Sequence, residues 1–186
     1  MSLNFPSNPT NGQEYIDNNG KKWQFSEYSW KPFISPVTLF NERTEINTSN
    51  MVVLDPNSNY DSEMQSPNKK LNSQEIHAGY IEGYKSYSLL KFTPNQSDLW
   101  VTLYTDLESM KSDISRPFTQ DPIPASGVIS EFSSNSNQSI IITPTTIGFN
   151  ADDVPSNKIY LKIVNISDSQ LTSDYSLTLT ILQMEK

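Results

Sequence analysis

The chain has 186 residues, with 13 Lys+Arg against 21 Asp+Glu and a formal net charge of −8. That length holds one sandwich-sized domain plus a small appendage, and an acidic balance without a segregated basic stripe argues against a nucleic-acid partner. Cysteine is absent and histidine occurs once, which removes disulfide frameworks, thiolate metal sites, cysteine nucleophiles and any constellation that needs two imidazoles.

The start, Met1 to Pro6, lacks a basic n-region and an apolar h-region, so no secretory signal is read and the cytoplasm is the expected place of synthesis. The longest apolar stretches, Met51 to Leu54 and Ile140 to Ile142, fall far short of the ~18–20 residues that span a bilayer, so no membrane partner is expected. Asn-x-Ser/Thr sequons at Asn47, Asn95, Asn137 and Asn165 are what a chain this rich in Asn, Ser and Thr produces by chance.

Residues 1–34 read as a small unit. A Pro-punctuated lead-in from Phe5 to Gly12 precedes a short strand over Gln13 to Ile16. Asp17-Asn18-Asn19-Gly20 is a turn whose Asn and Gly tolerate positive φ, so Lys21 to Phe25 folds back antiparallel. Ser26 to Ser29 connects to a third strand, Trp30 to Ile34. The available apolar mass is aromatic. Phe5, Tyr15, Trp23, Phe25 and Trp30 are the expected docking residues, serving as a miniature core or a contact surface in preference to a sugar-stacking platform.

Residues 35–75 read as a connector. Val37 to Phe40 and Met51 to Leu54 are strand-like, and Asp55 to Ser73 is a polar run expected to be a long, partly ordered loop. From Ile76 to the end at 186 the pattern is β, with strands at Tyr84 to Phe92, Leu99 to Tyr104, Gly127 to Phe132, Ser139 to Thr143, Lys158 to Asn165 and Ser173 to Gln183. Ile159, Leu161 and Ile163 alternate with Lys162, and Tyr175, Leu177, Leu179 and Ile181 with Ser176, Thr178 and Thr180, which predicts one wet face on each of these strands. Trp100 and Tyr104 lie opposite Leu99, Val101 and Leu103, which predicts burial on both sides or an aromatic covering. One short helix is expected, Leu107 to Ser115. The expected fold is all-β, an antiparallel β-sandwich or jelly-roll-like domain with a small N-terminal three-stranded aromatic meander.

No motif points to catalysis. His77 stands without a surrounding motif and reads as a surface or loop residue. Asp152-Asp153 and the group Asp106, Glu108, Asp113 offer hard oxygen donors, but their spacing is not that of a calcium loop. Asp121 and Glu131 flank a strand as a glycosidase pair would, yet among 21 acids such a pair arises by chance. Six glycines supply no phosphate-binding loop. No enzymatic activity, cofactor or metal is expected.

Two segments carry a resemblance. Phe5 to Tyr15 with the following Asn18-Asn19-Gly20, Lys21 to Phe25 and Tyr28 to Pro32 resembles an FPxxPxxGxxY…G…W…W module found near one end of many structural and fibre proteins of tailed phages. From Gly83 to Glu185, the runs Tyr84 to Lys91, Leu99 to Asp106, Lys111 to Pro117, Gln120 to Glu131, Ile142 to Pro144, Gly148 to Asn150, Val164 to Ser167 and the terminal Leu177 to Gln183 resemble, in order, a domain recurrent in virion structural proteins of cyanophages and related marine phages. The resemblance implies a non-enzymatic, β-rich subunit on the exterior of the particle. Its implied partners are other virion proteins and further copies of itself, with a host-surface glycan as the alternative ligand. Where that family reads Arg-x-x-Asp-x-x-Arg-like, this chain has Lys111, Asp113 and Arg116. If the pattern is an ion-pair brace, Lys111 supplies charge without the bidentate fork of arginine.

Overall fold

The structure is a computed structural model that describes residues 5–17, 20–32, 43–67 and 69–185. The chain divides into two units, Met1–Asn41 and Glu42–Lys186.

The first unit is a three-stranded antiparallel sheet, β1 (Glu14–Ile16), β2 (Lys22–Ser26) and β3 (Ser29–Pro32), in that spatial order. Gly20 has φ +78° and donates its N–H to the Asp17 carbonyl at 2.9 Å, closing the first turn. Between β2 and β3 only Glu27 and Tyr28 intervene, both at positive φ (51° and 75°), the two-residue geometry whose twist matches a hairpin. Asn18, Asn19, Phe33, Ile34 and the expected strand Val37 to Phe40 lie outside the described residues.

The second unit is built from two antiparallel sheets. Its strands are β4 (Arg43–Asn47), β5 (Val52–Val53), β6 (Ile76–Glu82), β7 (Ser86–Pro94), β8 (Leu99–Tyr104), β9 (Val128–Ser133), β10 (Ile140–Phe149), β11 (Lys158–Asn165) and β12 (Leu177–Gln183), with one α-helix, α1 (Leu107–Asp113). One sheet runs β10-β7-β12-β4, the other β5-β6-β11-β8-β9. Alternate residues of both supply the main core, among them Leu89 and Phe92 of β7, Leu99, Val101 and Leu103 of β8, Ile159, Leu161 and Ile163 of β11, and Leu177, Leu179 and Ile181 of β12. Phe92 stacks on Phe132, ring centroids 5.0 Å apart. The fold is thus the all-β sandwich with a small aromatic sheet that the sequence predicts.

Two differences have clear causes. The outer face of the five-stranded sheet is not wet: Lys162 is fully buried, and Thr102, Tyr104 and Tyr160 beside it are buried too. Helix α1 covers this face, and Met110 packs in a second apolar cluster with Leu54, Ala78, Tyr104 and Tyr160. Alternation of Ile and Lys along β11 therefore marks two different interiors. The face of β12 that carries the threonines is also only partly wet, since Thr180 is buried.

Residues 43–75, read as a connector, are built into the sandwich. β4 pairs with β12 and β5 with β6. β5 approaches so closely that a Cβ on Gly79 would lie 2.0 Å from the Val52 carbonyl oxygen. The polar run after β5 is pinned at intervals. Met64 N–H donates to the Val53 carbonyl at 2.7 Å, Asp55 caps the turn Pro56–Ser58, and Leu71 is fully buried and accepts from Leu171 N–H at 2.9 Å. Three strand limits also move. The expected Tyr84–Phe92 strand runs Ser86–Pro94, β10 extends to Phe149 past a register shift between Ile141 and Thr146, and β12 begins at Leu177.

Candidate functional site

In the first unit, register places Tyr15 opposite Trp23, Phe25 opposite Trp30 and Trp23 opposite Pro32. The expected residues Phe5, Tyr15, Trp23, Phe25 and Trp30 are therefore brought into one cluster. Phe5 lies parallel to Trp30 with centroids 5.1 Å apart and meets Tyr15 and Trp23 edge-on at 5.3 Å. Trp30 also meets Tyr15 and Phe25 edge-on, at 5.9 and 5.6 Å. All five rings are half-buried. Asp17 orients the cluster: its carboxylate accepts from Trp23 Nε1 at 3.1 Å and from Lys21 N–H at 2.9 Å. Glu14 pairs with Lys22 at 2.7 Å, so the sheet joins an aromatic cluster to charged residues.

In the second unit, the polar residues under α1 form a buried brace. The Asp113 carboxylate accepts from Arg116 Nε at 2.6 Å and Nη2 at 2.9 Å, a bidentate fork. It also accepts from Tyr104 Oη at 2.7 Å and Lys162 Nζ at 3.2 Å. Glu131 accepts from Arg116 and Thr102, which leaves two acids facing two bases. Both cations lie over Trp100, Lys162 Nζ at 4.3 Å and Arg116 Cζ at 5.0 Å from the ring. Burial alone would push the Asp113 carboxyl up, but the hydrogen bonds from Arg116 and Tyr104 and the charge of Lys162 outweigh it and hold it below the ordinary carboxylate range. For Lys162 burial wins and lowers its value. Lys111 is not in this brace; it pairs with Asp61 and Glu108 on the surface.

Between α1 and residues 115–126 lies a groove of about 500 Å³, lined by Asp106, Ser109, Ser112, Asp113, Arg116 and Ile123 among others. Its floor is the brace. Asp106 is used as the N-cap of α1, accepting from Ser109 N–H and Oγ at 2.7 Å. Asp152 accepts from Tyr160 Oη at 2.9 Å. Of the carboxylates considered for calcium, Asp106, Asp113 and Asp152 thus hold separate structural posts, and among the described residues no three His, Asp or Glu side chains gather as a metal site. Glu131 belongs to the brace while Asp121 is exposed outside it. The groove offers serine hydroxyls, but no imidazole or amine lines it.

His77 is a buried residue of β6, not a surface one. Its Nδ1 lies 2.9 Å from Tyr175 Oη, and Nε2 lies 3.8 Å from Glu75 Oε1. Burial lowers its pKa from the ordinary 6.5; Glu75 opposes that shift and Lys69 adds to it. Because the folded value lies below the unfolded one, the unfolded chain takes up the proton first, and stability falls as pH drops from about 6.5 towards the folded value. Urea titrations at pH 7.5 and 5.5 are expected to show this loss, and His77→Gln to flatten the slope.

Compared with family models, with curated proteins and with solved structures, the chain matches none. Its own geometry says what the segments quoted for the phage resemblance do. Asp113, Arg116 and Glu131 make the brace. A Cβ on Gly148 would lie 2.3 Å from Cζ of the buried Tyr87, so that strand position needs a bare backbone. Asn150 Oδ1 accepts from Asp152 and Ser156 N–H while its Nδ2 donates to the Lys158 carbonyl, tying off the β10–β11 turn. Asn165, fully buried, donates Nδ2 to the carbonyls of Leu71, Asn72 and Ser169, which also closes that sequon to modification. Sequence reasoning missed the two asparagines as pins and Lys162 as a brace member; the only signal was a lysine flanked by apolar residues in the middle of a strand.

Proposed function

We propose that the protein is a non-enzymatic structural subunit of a tailed-phage particle, exposed on its exterior and acting through contacts with other virion proteins and with copies of itself. The observation that carries this is the use of five polar residues in the resembling segments: Asp113, Arg116, Glu131, Asn150 and Asn165 are each engaged in an internal pin. An acidic, Asn/Ser/Thr-rich chain suits an exterior position better than contact with packaged DNA. The half-exposed aromatic cluster of the first unit is the docking element in this reading, because large amphipathic rings supply contact area at low entropic cost.

Antibody labelling of intact particles, viewed by electron microscopy, tests the location, and stoichiometric signal on the exterior is expected. Absence from purified particles overturns the proposal. On a glycan array no binding is expected; binding would instead favour recognition of a host-surface glycan.

A further inference from the structure

The two sheets of the sandwich end in four edge strands, and these are not alike. β5 has two residues. β4 carries the exposed charges Arg43 and Glu45, and β9 carries Glu131. β10 is the longest strand among the described residues and has no charge; residues 132–151 are the longest stretch of the sequence without Asp, Glu, Lys or Arg. Charges on an edge are how folded proteins prevent strand-to-strand addition, so three edges are too short or guarded and one is open.

The direction of the backbone groups on β10 follows from the bonds that flank it. Asn150 N–H donates to the Lys85 carbonyl, and Gly148 and Thr146 lie opposite Tyr87 and Leu89. In an antiparallel ladder alternate residues point to alternate neighbours. Thr146, Gly148 and Asn150 therefore face β7, while the N–H and C=O of Thr145, Ile147 and Phe149 face the open edge. These same three residues have exposed side chains, Ile147 at 60% and Phe149 at 50%.

We propose that β10 pairs with β10 of a second copy, antiparallel about a two-fold axis at Ile147. This rests on the self-association part of the function proposed above and names its surface. In that register Ile147 meets its own counterpart and Thr145 meets Phe149, so each open N–H finds a carbonyl and the two four-stranded sheets become one of eight. The occupant is a second copy for two reasons. Copies that each carry −8 repel wherever their charges approach, and this strand is the place where they can approach without charge. The segment centred on Ile147 is also complementary to itself, and because β4 at the other edge is guarded, addition stops at a closed dimer instead of a filament.

The lack of native cysteine makes the test clean. Directly opposed residues in a hydrogen-bonded pair have Cα atoms about 5.5 Å apart, within disulfide range. Ile147→Cys is expected to give a covalent dimer on mild oxidation. The wild type is expected to sediment as a dimer, and Ile147→Lys, which sets two ammonium groups against each other, as a monomer with unchanged circular dichroism. A wild-type monomer up to ~100 μM overturns both this proposal and self-association. A wild-type oligomer that survives Ile147→Lys and gives no Ile147→Cys cross-link overturns only the β10 surface. If Ile147→Lys fails to fold, the cross-link alone decides.

Discussion

Asp113→Ala is expected to lower the stability of the sandwich by about 3–5 kcal/mol, among the largest effects available to a single substitution in this chain. The carboxylate is the acceptor for Arg116, Tyr104 and Lys162 at once. Removing it leaves a fully buried ammonium and a buried guanidinium with only Glu131 as counter-charge, and a buried phenol without its acceptor. At roughly 2–4 °C per kcal/mol for a unit of this size, the melting temperature should fall by about 10 °C, which calorimetry reads directly. Lys162→Met should cost less, because the Asp113–Arg116 fork remains, the acid left in excess, Glu131, is partly open to solvent, and the thioether fills the apolar stem's place. In the double variant Asp113→Ala with Lys162→Met, the penalty should be smaller than the sum of the singles. Additive losses would show that the brace is not one coupled network. The pH dependence has a defined sign. Asp113 titrates below its unfolded value, so its contribution is full above about pH 4 and is lost as pH falls through the lower folded value.

How much of this was legible from the residues differs by layer. The strand limits of β8 and β11 match because both are apolar runs whose ends coincide with Asp or Asn turns. Trp100 and Tyr104 opposite Leu99, Val101 and Leu103 foretold a strand buried on both faces; Met110 of α1 packs on Tyr104, and Phe118 meets Trp100 edge-on at 5.6 Å. Lys162 on the neighbouring strand misled, because a lysine between Leu161 and Ile163 usually faces water. Only the tertiary position of α1, nearly fifty residues upstream, encloses it with Asp113. β4 was missed for a related reason: Arg-Thr-Glu-Ile-Asn has no apolar alternation, and an edge strand with one partner, β12, needs little of it. The run from Asp55 to Ser73 reads by composition as a long, partly ordered loop, yet single residues pin it, Met64 through its N–H to Val53 and Leu71 through complete burial, and no window average detects them. His77 was misjudged because neighbours in sequence do not reveal a partner 98 positions away, the Tyr175 hydroxyl. The ion-pair brace suggested by Lys111, Asp113 and Arg116 exists in altered form. Arg116 supplies the fork, Lys162 the second charge, and Lys111 serves elsewhere.

In the first unit the corresponding substitution is Trp30→Ala, which is expected to unfold residues 5–32 as a whole while the sandwich keeps its transition. Trp30 makes three of the five ring contacts in the cluster, with Phe5, Tyr15 and Phe25. Losing a half-buried tryptophan and those contacts costs about 2–4 kcal/mol. A unit of some thirty residues has a total stability of only about 2–4 kcal/mol by the usual per-residue scale, so the loss consumes it. The sandwich should be indifferent, since none of the residues in its two apolar clusters comes from before Ile46. Amide spectra of the isotopically labelled protein would show the first unit's resonances collapsing to random-coil positions while those of β7, β11 and β12 stay. Dispersed first-unit resonances in the variant would show that the rings are a surface and not a core. The distinction matters for the proposed function, because loss of particle incorporation in an unfolded variant would say nothing about contact. Tyr28 separates the two effects: it is 97% exposed at the β2–β3 turn and makes no ring contact in the cluster. Tyr28→Asn keeps a residue that tolerates positive φ, so the unit should remain folded, and any incorporation defect in that variant reports a contact made by the hairpin tip itself.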